Sequence, residues 1–258
     1  MITGFFDSGI GGITVLHEAI KLMPRADYIY YADSDNVPYG TRSRDEVASL
    51  AVSAVDFIVR QGVDAVVIAC NTATSAAIET LRNRYSIPVI GMEPAIKPAV
   101  EKNGKRHKRV LVTATPLTLK EEKLKNLIAR VDNEHIVDLL PLSGLVKFAE
   151  DYCFDDAGVR SYLENALSAI DPSLYSTVVL GCTHFIYFRN LFRQILPNSI
   201  DIIDGNSGTV RNLQNIMRQK NLQESGSGFV TYYTSGRLVE NSELLDRYDL
   251  LHRMLDLQ

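Results

Sequence analysis

The sequence predicts an α/β protein built of two similar, doubly wound halves with mainly parallel sheets. Short apolar segments alternate along the chain with segments of helical period, which is the pattern of parallel sheets covered by helices. Two apolar segments also resemble each other, Val66–Thr72 (VVIACNT) and Val178–His184 (VVLGCTH). Their cysteines, Cys70 and Cys182, are 112 positions apart, close to half of the 258 residues. This weak repeat indicates two halves that each place a cysteine after a strand.

The predicted strands are apolar along their whole length, as expected for strands that are buried on both faces. They are Ile2–Phe6, Tyr28–Ala32, Asp64–Ala69, Pro88–Gly91, Val110–Thr113, Ile136–Leu140, Thr177–Gly181, Asp201–Ile203 and Phe229–Thr234. Ligands of such sheets bind beyond the carboxyl ends of the strands, so those ends are where a site is expected.

Two segments between the strands carry apolar stripes at helical spacing. One stripe consists of Ile13, Leu16, Ile20 and Met23 and ends before Pro24; the other consists of Val47, Leu50, Ala51, Ala54, Val55 and Ile58. Both predict helices that bury one face against a sheet.

Two polar segments interrupt this pattern. Lys102–Arg109 (KNGKRHKR) predicts a solvated loop or a crossing between domains, with a basic docking patch as the alternative. Gln223–Gly228 (QESGSG) predicts a flexible connection before the last strand. The repeat predicts two domains, a first of residues 1–96 plus 205–258 and a second of residues 97–204, with the chain returning to the first domain after the second.

Composition narrows the class of protein. Hydrophobic residues make up 46% and charged residues 22%, values typical of a globular domain, and the net charge of −4 disfavours a nucleic-acid partner. The amino terminus lacks a basic and apolar leader, and no apolar run approaches a membrane span, so we expect a cytoplasmic protein. The three cysteines are too few and too scattered for a disulfide framework or a zinc finger, and no metal site is predicted.

Cys70 and Cys182 are the strongest candidates for chemistry. Each follows a predicted strand directly and precedes residues suited to begin a helix. A thiol at a helix N-terminus is expected to be partly exposed, with a lowered pKa. Two such thiols that face each other across a cleft would be a matched acid and base. Cys153 lies in a predicted helical segment without such a context and is expected to serve packing only.

The glycine-rich segment Asp7–Gly12 (DSGIGG) follows the first strand. Glycines allow a tight turn and a close approach to a ligand, and such a loop can bind an anion. A dinucleotide would require a third glycine or alanine where Thr14 stands, and Asp7 would face its phosphates. The loop therefore predicts a small ligand, with Asp7 facing an ammonium group or tuning a catalytic group.

Other polar residues near these positions are less specific. Pro38–Thr41 (PYGT) is a common turn signal. His184 could orient or titrate Cys182, or serve only as a structural hydrogen-bonding group. Glu150, at the end of a helical segment, is typical of a solvated glutamate.

Four motifs in register carry a family resemblance. DSGIGG at Asp7–Gly12, PYGT at Pro38–Thr41, ACNTA at Ala69–Ala73 and GCTHF at Gly181–Phe185 resemble the glutamate racemases of the aspartate/glutamate racemase superfamily, from residue 2 to about residue 235. The resemblance implies interconversion of L- and D-glutamate without a cofactor, supplying D-glutamate for peptidoglycan. It also implies two domains related by a pseudo-two-fold axis, an active site in the cleft between them, and a homodimer.

The resemblance also implies roles for individual residues. Cys70 and Cys182 would be the catalytic acid and base, with Asp7 assisting the first and Glu150 and His184 the second. The implied substrate-binding residues are Asp7, Ser8, Pro38, Tyr39, Gly40, Cys70, Asn71, Thr72, Thr115, Cys182, Thr183 and His184. The sequence departs from the usual pattern at Ala114, Leu140-Pro141, Ile186 and Gly205, in loops expected to border the cleft.

Several alternatives stay open at this point. A racemase acting on aspartate or another amino acid would use the same chemistry. A decarboxylase or isomerase with one thiol, or a cysteine hydrolase, would leave the second thiol unexplained. A nucleotide- or amino-acid-binding module without turnover would need neither thiol.

Overall fold

The computed structural model describes residues 1–103 and 108–258, which form two α/β halves with one sheet each. The strands of the first sheet are β1 (Ile2–Asp7), β2 (Asp27–Ala32), β3 (Ala65–Ile68), β4 (Val89–Gly91), β9 (Val230–Thr234) and β10 (Arg237–Leu238). Those of the second are β5 (Arg109–Ala114), β6 (Val137–Pro141), β7 (Tyr175–Leu180) and β8 (Asp201–Asp204).

The two sheets share one strand order. The first runs β10-β9-β2-β1-β3-β4 and the second β6-β5-β7-β8, so the last four positions of the first sheet repeat the whole of the second. Neighbouring strands are parallel except for β9 and β10, which form a hairpin. The prediction of an α/β fold with mainly parallel sheets in two similar halves is confirmed.

Helices connect and cover the strands. They are α1 (Ile13–Leu22), α2 (Arg44–Arg60), α3 (Asn71–Arg84), α4 (Ile96–Asn103), α5 (Pro116–Lys120), α6 (Glu122–Val131), α7 (Gly144–Glu150), α8 (Ala157–Leu167), α9 (Arg189–Ile195), α10 (Asn206–Gln219) and α11 (Ser242–Asp256), with short 3₁₀ helices at Tyr39–Thr41, Pro172–Leu174 and Thr183–Phe188. Across the described ranges, no helix is long and apolar enough to span a membrane.

The two predicted helical stripes form α1 and α2. The start of α2 is fixed by a capping box, in which Ser43 and Glu46 each accept a hydrogen bond from the other's backbone N–H. The stripe of α2 is buried except for the half-buried Leu50, and α1 ends two residues before Pro24. Burial of these apolar stripes against the first sheet therefore determines which face of each helix points inward.

The apolar core is continuous between the halves. The largest cluster runs from Phe5 and Leu16 in the first half to Leu145 and Phe192 in the second. This packing holds the carboxyl ends of the two sheets close to each other. The domain limits, residues 1–96 plus 205–258 and residues 97–204, stay a prediction, although each sheet draws its strands from one of these two sets.

Two local predictions need correction. The segment Lys102–Arg109 is not a loop throughout, because α4 continues to Asn103 and β5 begins at Arg109; residues 104–107 lie outside the described residues. Asn103 is buried and stays helical because its side-chain amide donates to Ala99 O and Thr177 Oγ1. Composition could not show that this polar side chain has buried partners.

The position of Cys153 also differs. Helix α7 ends at Glu150, and Cys153 lies in the following loop, half-buried. Tyr152 has a φ of +58°, and the Cys153 N–H returns to the Phe148 carbonyl, as in a closing helix turn. The β9–β10 hairpin was not predicted, because its second strand has only two residues.

Candidate active site

Both candidate thiols lie where the parallel-sheet rule places a site, beyond the carboxyl ends of equivalent strands. Cys70 follows β3 and caps α3, and its Sγ accepts a hydrogen bond from Ala73 N at 3.4 Å. Cys182 follows β7 and precedes the 3₁₀ helix Thr183–Phe188, where an ordinary helix start was expected. Asp7, the last residue of β1, lies at the same end of the first sheet.

Burial controls the chemistry of Cys70. The residue is only 5% exposed, and desolvation, followed by the charge of Asp7, raises the pKa of its thiol to about 12. The Ala73 N–H and Ser8, whose Oγ lies 3.7 Å from Sγ, oppose the shift but do not cancel it. The predicted lowering of this pKa is therefore wrong. The predicted partial exposure fails for Cys70 and for Cys182, which is 7% exposed.

Cys182 has a different partner, an imidazole supported by a carboxylate. His184 Nδ1 lies 3.8 Å from Cys182 Sγ, and His184 Nε2 donates to Glu150 Oε1 at 2.6 Å. Burial alone would lower the pKa of His184, but the hydrogen bonds to Cys182 and Glu150 and the Glu150 charge raise it well above its usual value. Glu150 has a side chain only 17% exposed, so its interpretation as a solvated glutamate is wrong.

Asp7 connects the two halves. Its Oδ1 accepts from Gly9 N and its Oδ2 accepts from Thr183 Oγ1, each at 3.0 Å. Desolvation raises the pKa of the fully buried Asp7 to about 6, although the His184 charge and these hydrogen bonds act against it. Asp7 can therefore gain or lose a proton near neutral pH.

The glycines of Asp7–Gly12 allow the second half to approach the loop closely. A Cβ on Gly9 would lie 1.8 Å from Glu150 Oε1, and a Cβ on Gly11 would lie 2.4 Å from His184 Nδ1 and Thr183 Oγ1. Gly9 N–H and Ile10 N–H both point to carboxylates, at Asp7 and Glu150. The loop is thus shaped by protein side chains from across the cleft, and two of its amides are already occupied.

Three threonine hydroxyls form a second contact between the halves. Thr72 Oγ1 lies 2.9 Å from Thr115 Oγ1 and 3.0 Å from Thr118 Oγ1, and the latter two are 2.9 Å apart. Thr72 belongs to α3, Thr115 caps α5, and all three are buried. Gly40 packs against the Thr115 side chain. The segment Tyr39–Thr41 is therefore adjacent to this hydroxyl cluster.

The remaining predicted residues lie around the same strand ends. Ser8 and Asn71 are buried, and Asn71 Oδ1 has no hydrogen-bond partner among residues 1–103 and 108–258. An unpaired buried amide is costly, which makes Asn71 a natural contact for a polar ligand. Tyr39 is buried and donates to Asp33 Oδ2 at 2.6 Å, whereas Pro38, which follows a cis peptide bond, is exposed.

Sequence reasoning missed four residues that hold these groups: Tyr30, Asp33, Thr118 and Tyr187. Asp33 directly follows β2, so the strand-end rule could have identified it. Tyr30 and Tyr187 donate hydrogen bonds to the backbone carbonyls of Gly9 and Ile10. Hydrogen bonds from side chains to backbone carbonyls cannot be recognised from a sequence pattern. No group of three His, Cys, Asp or Glu side chains in the described ranges is arranged to hold a metal ion.

Two buried thiols thus lie at equivalent strand ends, each with its own polar neighbours, which is the arrangement expected of an acid/base enzyme. Residues 14–213 match the family described as Asp/Glu/Hydantoin racemase. The chain is 54% identical over 239 residues to the glutamate racemase of Halothermothrix orenii, covering 92% of this chain and 94% of that protein.

Two solved structures are also similar. One is the glutamate racemase of Escherichia coli in complex with L-glutamate and the activator UDP-MurNAc-ala, with 30% identity, a TM-score of 0.77, and coverage of 84% of this chain and 82% of that chain. The other is the glutamate racemase of Francisella tularensis in complex with D-glutamate, with 26% identity, a TM-score of 0.78, and coverage of 90% and 87%. The chain belongs to the Asp/Glu/hydantoin racemase family and is an isomerase, which confirms the resemblance drawn from the four motifs.

Proposed function

We propose that the protein interconverts L- and D-glutamate, using Cys70 and Cys182 as the acid and base on opposite faces of the α-carbon. The observation that carries this proposal is the equivalent placement of two buried thiols, one in each half. The related enzymes of Escherichia coli and Francisella tularensis were solved with L-glutamate and D-glutamate, the two enantiomers of this reaction.

The proposed reaction begins with one thiolate and one thiol. The thiolate takes the α-proton from one face, and the thiol delivers its proton to the opposite face of the resulting carbanion. Because the pKa of Cys70 is raised to about 12, Cys70 holds its proton at rest and is the acid of the first turnover. Cys182 is then the base, and His184 Nδ1, 3.8 Å away, can carry the proton of the Cys182 thiol. The opposite enantiomer uses the roles in reverse.

The carbanion would be stabilised by hydrogen bonds to the substrate carboxylate. The groups proposed for this are Ser8, Asn71, Thr72 and Thr183, all buried around the strand ends, together with backbone amides. Tyr39, Gly40 and Thr115 would bind the remaining polar atoms of glutamate, and Pro38 would border the entrance. Asp7 would face the substrate ammonium group or assist Cys70.

The wider assignments follow from the same family membership. We propose that the reaction needs neither a metal nor an organic cofactor, since the two thiols supply both the acid and the base. We further propose that the protein supplies D-glutamate for peptidoglycan, is located in the cytoplasm and forms a homodimer. The division into residues 1–96 plus 205–258 and residues 97–204 would then place one thiol in each domain.

Exchange of the α-proton tests the function directly. The protein is incubated with L-glutamate in deuterated water without added cofactor, and circular dichroism follows racemisation while proton NMR follows deuterium at the α-carbon. We expect the dichroism to decay towards zero as deuterium enters. A parallel incubation with L-aspartate tests substrate choice: exchange on aspartate alone would indicate an aspartate racemase, and exchange on neither would contradict the proposal.

A further inference from the structure

The backbone of Ile10 is held by the second half on both sides of the residue. Ile10 N donates to Glu150 Oε1 at 2.9 Å, and Ile10 O accepts from the Tyr187 hydroxyl at 2.9 Å. Ile10 lies in the loop Asp7–Gly12, two residues after Ser8 and three after Asp7. The two hydrogen bonds therefore fix the loop against the groups that surround Cys182.

Tyr187 and His184 belong to the same short element. Both lie in the 3₁₀ helix Thr183–Phe188, and residues three apart in such a helix lie on one face. His184 contacts Cys182 and Glu150, while Tyr187 contacts Ile10. A rotation of this helix away from the loop would thus move His184 as well.

The Tyr187 side chain is suited to this role. It is 3% exposed, and its ring lies against Phe154 with the ring centroids 5.3 Å apart, so the ring is held independently of the hydroxyl. Burial, with the charges of Asp7 and Glu150, raises the pKa of Tyr187 well above its usual value. The hydroxyl therefore keeps its proton and donates throughout the working range of pH.

We propose that Tyr187 is a positioning residue for the proposed racemisation: it ties the 3₁₀ helix that carries His184 to the loop Asp7–Gly12 through Ile10, and so sets His184 at Cys182. This inference rests on the proposed function. It assigns Tyr187 a larger effect on proton transfer at Cys182 than at Cys70, because His184 shares its helix whereas Cys70 is reached only through Asp7 and Ser8 of the loop.

The test compares Tyr187→Phe with Tyr28→Phe. Tyr187→Phe keeps the ring, and Ile10 O keeps the backbone N–H of Ile13 at 3.1 Å, so no buried acceptor is left unpaired and the variant folds. Tyr28 is equally buried but donates to the carbonyls of Ala19 and Met23, at the far end of α1 from the loop. Tyr28→Phe therefore controls for the loss of a buried tyrosine hydroxyl.

Both variants are measured with L- and D-glutamate, with hydrogen and with deuterium at the α-carbon. For Tyr187→Phe we expect kcat to fall about tenfold with KM changed less than about twofold, since a displaced catalytic group slows proton transfer more than binding. The α-deuterium isotope effect should rise more for the enantiomer whose proton goes to Cys182 than for the other enantiomer. Tyr28→Phe should lose thermal stability and keep the wild-type kinetics.

A double variant gives an independent check. Because Tyr187 and Glu150 hold the same residue, Tyr187→Phe combined with Glu150→Gln should be little slower than Glu150→Gln alone. Equal isotope effects for both enantiomers, strictly multiplicative losses in the double variant, or kinetics of Tyr187→Phe that match Tyr28→Phe would each overturn the inference. Failure of the wild-type protein to racemise glutamate would instead contradict the proposed function.

Discussion

The surroundings of Cys70 and Cys182 differ, although the two residues occupy equivalent places in sheets of the same strand order. Cys70 caps a helix, donates to Ser8 and lies near the carboxylate of Asp7. Cys182 precedes a 3₁₀ helix and lies beside the imidazole of His184, which Glu150 supports. The backbone is repeated between the halves, but the groups that assist each thiol are not.

Aligned positions show where the halves diverged. Thr72 and His184 are equivalent in the repeated segments, yet Thr72 joins a hydroxyl cluster and His184 bonds a carboxylate. Asp7 at the end of β1 corresponds to Ala114 at the end of β5. Two sheets of the same strand order can therefore place two thiols at equivalent positions and still surround them with different polar groups. The consequences of that difference can be tested, beginning with the largest expected effect.

Removal of either thiol should have the largest effect. Cys70→Ser and Cys182→Ser should each lower kcat about 10³-fold, because each removes the acid in one direction and the base in the other. Racemisation followed by circular dichroism measures the loss. Cys153→Ser is the matched control, since Cys153 lies in a loop and donates to Asp151 O, and it should keep full activity. Full activity in Cys70→Ser or in Cys182→Ser would show that catalysis needs only one of the two thiols.

Removal of the Glu150 carboxylate, which accepts a hydrogen bond from His184, should have the second largest effect on activity. Glu150→Gln should lower kcat about 10²-fold, because the imidazole loses the carboxylate that holds it as a proton carrier at Cys182. The α-deuterium isotope effects for L- and D-glutamate show whether one thiol alone is affected. Glu122→Gln, at an exposed ion pair with Lys125, controls for the loss of a carboxylate. An equal change for both enantiomers would mean that Glu150 serves both thiols alike.

The carboxylate near Cys70 should affect activity less and stability more. Asp7→Asn should lower kcat about tenfold, since Asn keeps the hydrogen-bonding shape but not the charge. Because the pKa of Asp7 is raised from 3.8 to about 6, wild-type stability should fall as the pH rises from about 4 to about 6. The raised value corresponds to at most about 3 kcal/mol in the free energy of unfolding.

Urea unfolding of Asp7→Asn at several pH values measures this contribution. The variant should lack the decline between pH 4 and pH 6 and be more stable than wild type at pH 7. The opposite result would be a variant that is less stable than wild type at pH 7 and whose stability still declines between pH 4 and pH 6. The decline would then come from other groups, and the charge of Asp7 would be fully compensated in the folded state.

A histidine pair distant from both thiols should have the smallest effect on activity. His17 Nδ1 and His252 Nδ1 are 3.0 Å apart, between α1 and α11, and burial, followed by the His17 charge, lowers the pKa of His252 to about 4. A lowered histidine pKa means that stability is lost as the pH falls from about 6.5 to about 4. His252→Gln should reduce that loss by about 1 kcal/mol or more without changing kcat at pH 8.

This last variant separates the pH response of the fold from that of the site. Urea unfolding at pH 5 and pH 7.5 measures the first, and the pH profile of kcat measures the second. A changed kcat profile in His252→Gln would mean that α11 influences the thiols, and the different surroundings of Cys70 and Cys182 would then not be explained by their direct neighbours alone.

The sequence by itself determined the α/β class, the repeat and the strand ends at which the thiols lie. These depend on apolar periodicity and on residues that directly follow a strand, such as Asp7, Cys70 and Cys182, and both features are local in the chain. The same local pattern indicated a lowered thiol pKa, because a helix start near Cys70 is visible in sequence whereas the desolvation that outweighs it is not.

The tertiary structure alone decided which groups meet across the cleft. Thr183 reaches Asp7 over 176 positions, and Ile10 reaches Glu150 over 140. Contacts at such separations follow from how the two sheets pack together, and a change of packing would alter them without any change in local periodicity. The pKa of Cys70 and the pKa of His184 depend on that packing because both side chains are buried and respond to the charges around them. The Ile10 N–H of the glycine loop depends on it because its acceptor, Glu150, belongs to the other half.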